Sequence, residues 1–361
     1  MAVRAFKLFT RIIIMAFTIG TGYCQVKTAS PSPFTDKDMV SWDYSSKTIG
    51  EDYTIYVHFP PGYDTTKTNY PVLYMTDGDW NMTVAMNCFN MLRQDYKTTE
   101  ALIVGIGYGS RPNKRNRDLN PETGGPKFIS FIEQEVVPFI QSKYRVNDNK
   151  ALYGYSFGGM FTTMVLFNHP GLFNMVFIGA PGNTGRELLP SAQKYFTTHT
   201  DLNCRVFLGV GSYEHENAKN IEQFTAYMKK QNCKNLDIDF AITPGANHGA
   251  ALAQVMQNAI AFAYCQKHKA IMLTAKELEP YSGNYKVAGD EKDTFKVYLS
   301  GGKLYFKQND HLPQEFAPYA KDSFFMYEDE KADINFKTEG GKKYLVFNFP
   351  GEKPVRLDRV N

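Results

Sequence analysis

From Tyr53 onward the hydrophobic positions switch repeatedly between two periods. Tyr53 to Phe59 alternates and stops at Pro60-Pro61, which predicts a strand ended by residues that cannot donate to a ladder. Val72 to Met75 is a short apolar run closed by Asp77-Gly78, a strand followed by a turn. Ala101 to Ile106 repeats that theme. Phe128, Phe131, Ile132, Val136, Phe139 and Ile140 then recur at helical spacing. Four further apolar runs predict buried strands: Ala151 to Tyr153, Val176 to Ile178, Val206 to Val210 and Leu236 to Ile242. Helical stretches lie between and after them at 160–167, ended by Asn168-His169-Pro170, at 220–230 and at 250–264.

Strands alternating with helices predict an α/β fold with a mostly parallel sheet covered on both faces. Right-handed crossovers bring the C-terminal strand ends to one edge, where such folds build their sites. The pattern changes near Leu273. Phe295, Val297 and Leu299 alternate into Ser300-Gly301-Gly302, and Leu304 and Phe306 alternate out. Ile334 to Phe336, Gly340-Gly341 and Leu345 to Phe347 form a second such unit. The chain therefore divides into an α/β domain over 46–270 and a small all-β domain over 271–361, a barrel or curled sheet.

The N-terminus reads as an export signal over 1–24. Arg4, Lys7 and Arg11 precede the apolar run Ile12 to Phe17, and small residues around Gly20 to Gly22 lead to a cut between Cys24 and Gln25. That run is too short to anchor in a bilayer, so the mature protein is expected to be periplasmic or secreted, with no stable membrane span. Residues 25–45, rich in Ser, Thr, Pro and Asp, read as a linker. A net charge of +3, dispersed along 361 residues, argues against a nucleic-acid binder. Of the four cysteines beyond the signal, Cys204 and Cys233 each follow an asparagine just before adjacent strands, and a disulfide between them is expected.

The strongest chemical signal is Gly154-Tyr155-Ser156-Phe157-Gly158, followed by Gly159. An apolar strand precedes it and an apolar helix follows, the context of a nucleophile elbow that projects Ser156 at the sheet's edge. In this fold the acid and the histidine follow the serine in chain order. Among seven histidines, His248 lies in Pro244 to Gly249, between the last apolar strand and the last helix, and is the expected base. The acid should follow Val206 to Val210. Glu214 is the expected residue, near enough to hold the Nδ1 proton of His248, and Glu216 is its rival. The oxyanion donors are expected to be the backbone N–H groups of Phe157, directly after the nucleophile, and of Asp79, in the turn after Met75. Asp77 and Asp79 without a His or Cys companion are weak evidence for a metal site.

Several segments together resemble the esterase D and enterochelin esterase-like family of α/β-hydrolases. They are Tyr70 to Met75 with the Asp77-Gly78 turn, Arg115 to Pro121, Glu133 to Pro138, and Gly154 to Gly159. The resemblance covers about residues 45 to 268. It implies an α/β-hydrolase fold, with Ser156 as nucleophile, His248 as base and Glu214 in the acid position. The family includes feruloyl and acetyl-xylan esterases, siderophore trilactone esterases, S-formylglutathione hydrolases and mycolyltransferases. Tyr281 to Tyr285 resembles the start of a small β domain appended to some bacterial serine hydrolases.

The expected function is ester hydrolysis through a Ser-His-Glu triad and an acyl-enzyme, with no metal or organic cofactor. The short stretch from Pro181 to Asn203 predicts an open cleft, suited to esters on a carbohydrate or other bulky carrier. After the sixth strand, Gly179 to Asn183 lacks the tryptophan-rich stretch common near the siderophore esterases, which weighs against a siderophore substrate. A siderophore lactone, acyl transfer to an alcohol, thioester hydrolysis and non-catalytic glycan binding are the alternatives.

Overall fold

Residues 38–287 and 293–360 are described by a computed structural model, and the export signal expected over 1–24 lies outside them. The linker expected over 25–45 ends sooner than its composition suggests. Met39–Ser46 forms a strand, β1, paired antiparallel with β2 (Glu51–His58). Most of β1 faces water at the sheet's edge. On one side Trp42 and Tyr44 meet Phe139 with ring centroids 5.5 and 5.3 Å apart. Two aromatics amid Ser and Asp read as polar chain, although their spacing of two is that of a strand.

The α/β series follows in order. β3 (Tyr70–Met75), α1 (Gly78–Asp95), the two-residue β4 (Lys97–Thr98) and β5 (Leu102–Gly107) come first. The short α2 (Arg115–Asp118) leads to α3 (Gly125–Phe131) and α4 (Val137–Lys143), joined by one wide π turn at Ile132–Val136. Pro138, which has no N–H to give the regular ladder, sits just past that turn. Next come β6 (Val146–Tyr155), α5 (Phe157–Asn168), β7 (Met175–Gly179) and α6 (Leu188–Phe196). β8 (Cys204–Gly211), α7 (His215–Lys230), β9 (Leu236–Thr243), α8 (His248–Tyr264) and the two-residue β10 (Cys265–Gln266) complete the series.

The main sheet has the order β1-β2-β5-β3-β6-β7-β8-β9 and is parallel from β5 to β9. This confirms the α/β expectation. β3, β5 and β7 are buried at every position, as strands covered on both faces must be. α1 and α8 pack together on one face, through Phe89 and Tyr264 among others. α3, α5, α6 and α7 share the other face, through Phe128–Phe161, Phe167–Tyr195 and Phe167–Phe224.

The expected Cys204–Cys233 disulfide is absent, and both cysteines are free. In the register of β8 with β9, Cys204 stands opposite Leu236. Cys233 therefore lies three residues short of the ladder. The Cys204 thiol instead sits in the core, 3.8 Å from the carbonyl oxygen of Phe173. Proximity in strand order did not translate into matched positions along the strands.

After α9 (Ala275–Leu278) the chain forms an eight-stranded antiparallel meander. Its strands are β11 (Gly283–Val287), β12 (Phe295–Ser300), β13 (Lys303–Gln308), β14 (Gln314–Ala320), β15 (Ser323–Met326), β16 (Asp329–Glu339), β17 (Lys342–Asn348) and β18 (Val355–Val360). β18 pairs back onto β11 and closes a barrel. Its interior is filled by side chains such as Tyr285, Phe316, Phe324 and Phe336. The barrel meets the hydrolase where α1 and α8 end. Asp333 accepts from Lys97, from His268 Nε2 at 3.0 Å and from Tyr319 at 3.4 Å. No helix among the described residues is long and apolar enough to cross a membrane.

Candidate active site

Ser156 joins β6 to α5 with φ 60° and ψ −114°. A non-glycine residue holds such a conformation only where its surroundings over-determine it, at roughly 1–3 kcal/mol. Here the surroundings are close-packed backbone. A Cβ at Gly154 would strike the carbonyl of Gly158, and one at Gly158 would lie 2.5 Å from Thr76 Oγ1. The Ser156 N–H donates to the Gly179 carbonyl at 2.9 Å, and the Gly182 N–H donates to the Ser156 carbonyl at 2.9 Å. The elbow expected from the motif is present, with Ser156 half-buried at its tip.

His248 and Glu214 are brought together by two loops laced at the ends of β8 and β9. The Ser212 N–H donates to Thr243 O at 2.9 Å, Tyr213 N–H to Ala246 O at 3.0 Å, and Gly245 N–H to Ser212 Oγ at 2.9 Å. His248 Nδ1 and Glu214 Oε2 are 2.7 Å apart, and Glu214 Oε1 accepts from Gly211 N–H at 3.2 Å. The bond to Glu214 raises the His248 pKa above the ordinary imidazole value, against a smaller opposing effect of burial. Nδ1 is thereby held as the donor and Nε2 is left as the basic nitrogen. His248 is nearly half exposed, so the site is open. Glu216 lies in the exposed first turn of α7 and does not pair with His248.

The two expected oxyanion donors sit at the heads of two helices beside the elbow. Phe157 opens α5, and Asp79 lies in the first turn of α1, where amides have no partner within the helix. The first turn of α5 abuts the 76–77 turn, since a Cβ on Gly158 would also lie 3.6 Å from Asp77 Oδ2. The carboxylates of this turn are already engaged. Asp77 pairs with Arg115, while Asp79 accepts from Tyr56 Oη at 2.8 Å, Tyr108 N–H at 2.9 Å and Gly109 N–H at 2.8 Å.

Residues 46–306 match the family described as "Putative esterase". The chain belongs to this esterase family. Among its relatives, the ferri-bacillibactin esterase BesA of Bacillus subtilis (strain 168) is 24% identical over 255 residues, covering 61% of this chain and 87% of that protein. The siderophore triacetylfusarinine C esterase of Aspergillus fumigatus is 27% identical over 157 residues, 38% of this chain and 54% of that protein. The solved structure of the BES protein from Bacillus cereus superposes with a TM-score of 0.58 at 22% identity, covering 65% of this chain and 98% of that one. That likeness shows the same fold. The protein is a carboxylic ester hydrolase of the enterochelin esterase-like group.

In this esterase, three residues outside the expected site adjoin it. Arg115 grips Asp77 with two hydrogen bonds, from Nε at 2.8 Å and Nη2 at 3.0 Å. Burial raises the Asp77 pKa, and Arg115 opposes that rise. The same guanidinium lies 5.7 Å from the Trp80 ring centroid and 5.5 Å from that of Phe157. Trp80 itself is 41% exposed. Tyr155 donates from Oη to the backbone carbonyl of His248. Arg115 and Tyr155 belong to the segments Arg115 to Pro121 and Gly154 to Gly159, but their partners lie 38 and 93 residues away.

Proposed function

We propose that this protein hydrolyses an ester bond of a siderophore, with Ser156 as nucleophile, His248 as general base and Glu214 as the acid that orients it. The observation carrying the catalytic assignment is the 2.7 Å Glu214–His248 contact beside a serine held in elbow geometry. Ser156 Oγ attacks the ester carbonyl while His248 Nε2 takes its proton. The N–H groups of Phe157 and Asp79 receive the oxyanion, and His248 returns the proton to the departing alcohol. Water then repeats the sequence on the acyl-enzyme, releasing the acid and restoring Ser156.

The substrate class is supported by the relatives, which are named as siderophore esterases. It displaces the polysaccharide-linked ester that the open cleft suggested. Exposed aromatics are supplied from other elements: Trp80 at the head of α1, 5.7 Å from the Arg115 guanidinium, and Tyr213, 64% exposed. Exposed rings suit a carrier bearing planar metal-binding groups.

The test is a panel of ferric and iron-free siderophore esters run beside feruloyl and acetylated-sugar esters, on wild type and Ser156→Ala. Preferential cleavage of the siderophore esters, lost with Ser156 and with organophosphate labelling at Ser156, is expected. Faster turnover of the sugar esters would replace the substrate assignment. Activity persisting in Ser156→Ala would remove the nucleophile.

A further inference from the structure

A groove of about 570 Å³ runs along α5, outside the catalytic residues. Met160, Met164 and Phe167 form its apolar floor, and Asn120, Asn183 and Ser191 stand on its rim. Two of its lining residues, Met160 and Asn183, lie near the elbow. Met160 lies one helical turn from Ser156, a rise of about 6 Å. Asn183 follows Gly182, whose N–H holds the Ser156 carbonyl.

We infer that this groove is the subsite for the acyl arm of the substrate, an extended and uncharged arm bearing amide groups. The inference rests on Ser156 as the nucleophile. The leaving alcohol takes its proton from His248, which opens α8 on the face shared with α1. The groove lies on the opposite, α5–α6 face, so it receives the part of the ester that stays on Ser156. From Met160 to Asn168 the groove spans about 12 Å along the helix. That length matches three or four extended residues of chain, at about 3.3 Å each. Glu122 and Glu187 on the lining are offset in part by Lys194, so no single sign of charge selects an ionic group. Asparagine, serine and threonine side chains over a methionine floor suit amide groups on an apolar stem.

The loop that carries Asn183 is built to stay in place. Ala180, Asn183 and Thr184 all have positive φ, at 33°, 55° and 56°. Non-glycine residues hold such angles only under external restraint. Asn217 Nδ2 supplies one restraint by donating to Pro181 O at 3.0 Å, and Asn220 Nδ2 another by donating to Thr184 O at 2.9 Å.

The test measures kcat/KM for a series of p-nitrophenyl esters, from acetate through N-acetylglycine to longer N-acetyl peptides. Wild type should gain about tenfold or more along the series, because remote binding energy is used in the transition state. Ser191→Trp, which fills the groove from α6, should abolish that gain and leave the acetate rate within about twofold. If Ser191→Trp does not fold, Lys194→Trp on the same helix face gives the same readout. A flat wild-type series, or a gain that survives the filling substitution, overturns the inference. Neither outcome touches the siderophore assignment, which fails instead if wild type leaves siderophore esters intact.

Discussion

Tyr155 Oη donates to the backbone carbonyl of His248 across 2.5 Å, and the two rings lie 5.2 Å apart. The residue beside Ser156 thus holds the backbone of the proposed base. Elbow and histidine loop are tied by a bond independent of Glu214. Tyr155→Phe keeps the ring and removes the bond. Its kcat should fall by about 2- to 10-fold, the equivalent of 0.5–1.5 kcal/mol, with KM little changed. Steady-state kinetics on a p-nitrophenyl ester check this, and a lowered melting temperature with an unaltered rate would assign Tyr155 to stability alone.

With His248 as the proposed base, the Glu214 contact should set the pH dependence. A base must be neutral to take a proton, so kcat/KM should rise with pH through a His248 pKa that Glu214 holds above the ordinary imidazole value. Glu214→Gln removes that support. The rise should then move to lower pH, while the plateau falls by about 10²–10⁴-fold as the imidazole loses its fixed tautomer. Glu216→Gln, on the exposed turn of α7, should change neither. Profiles of the two variants decide between the carboxylates.

Arg115 and Asp77 form a pair in which the carboxylate is 1% exposed. Removing only the guanidinium leaves a buried carboxylate beside the proposed oxyanion turn, and such losses run to about 3–5 kcal/mol. Arg115→Met should therefore lower stability and slow turnover. Asp77→Asn in the same protein should recover much of the stability, since no charge is then stranded. Urea denaturation of the single and double variants measures this; equal losses would mean that the pair is not coupled.

Asp333 gathers Lys97, His268 and Tyr319 at the junction of barrel and hydrolase. Asp333→Ala should lower stability by about 1–3 kcal/mol. It should leave ester hydrolysis unchanged, because the 17 residues of α8 put roughly 25 Å between this junction and His248. A loss of activity without a loss of stability would show that the barrel communicates with the site.

The sequence by itself determined the series of strands and helices from Tyr53 to Tyr264, the elbow around Ser156 and the loop carrying His248. Hydrophobic period and turn chemistry act within a few residues, so they are written locally. Even there α1 and α6 escaped: in α1, Met82, Ala85, Cys88, Phe89 and Leu92 keep helical spacing, but polar Asn and Thr residues dilute it. The 2.7 Å contact of Glu214 with His248, the Arg115–Asp77 pair and the hold of Tyr155 on His248 were set only by tertiary structure. So were the separation of Cys204 from Cys233 and the closing of β18 onto β11. Each depends on the register between strands or on which helix heads converge. Register is fixed by packing the whole sheet at once, and a slip of one residue would turn every side chain of a strand to the other face.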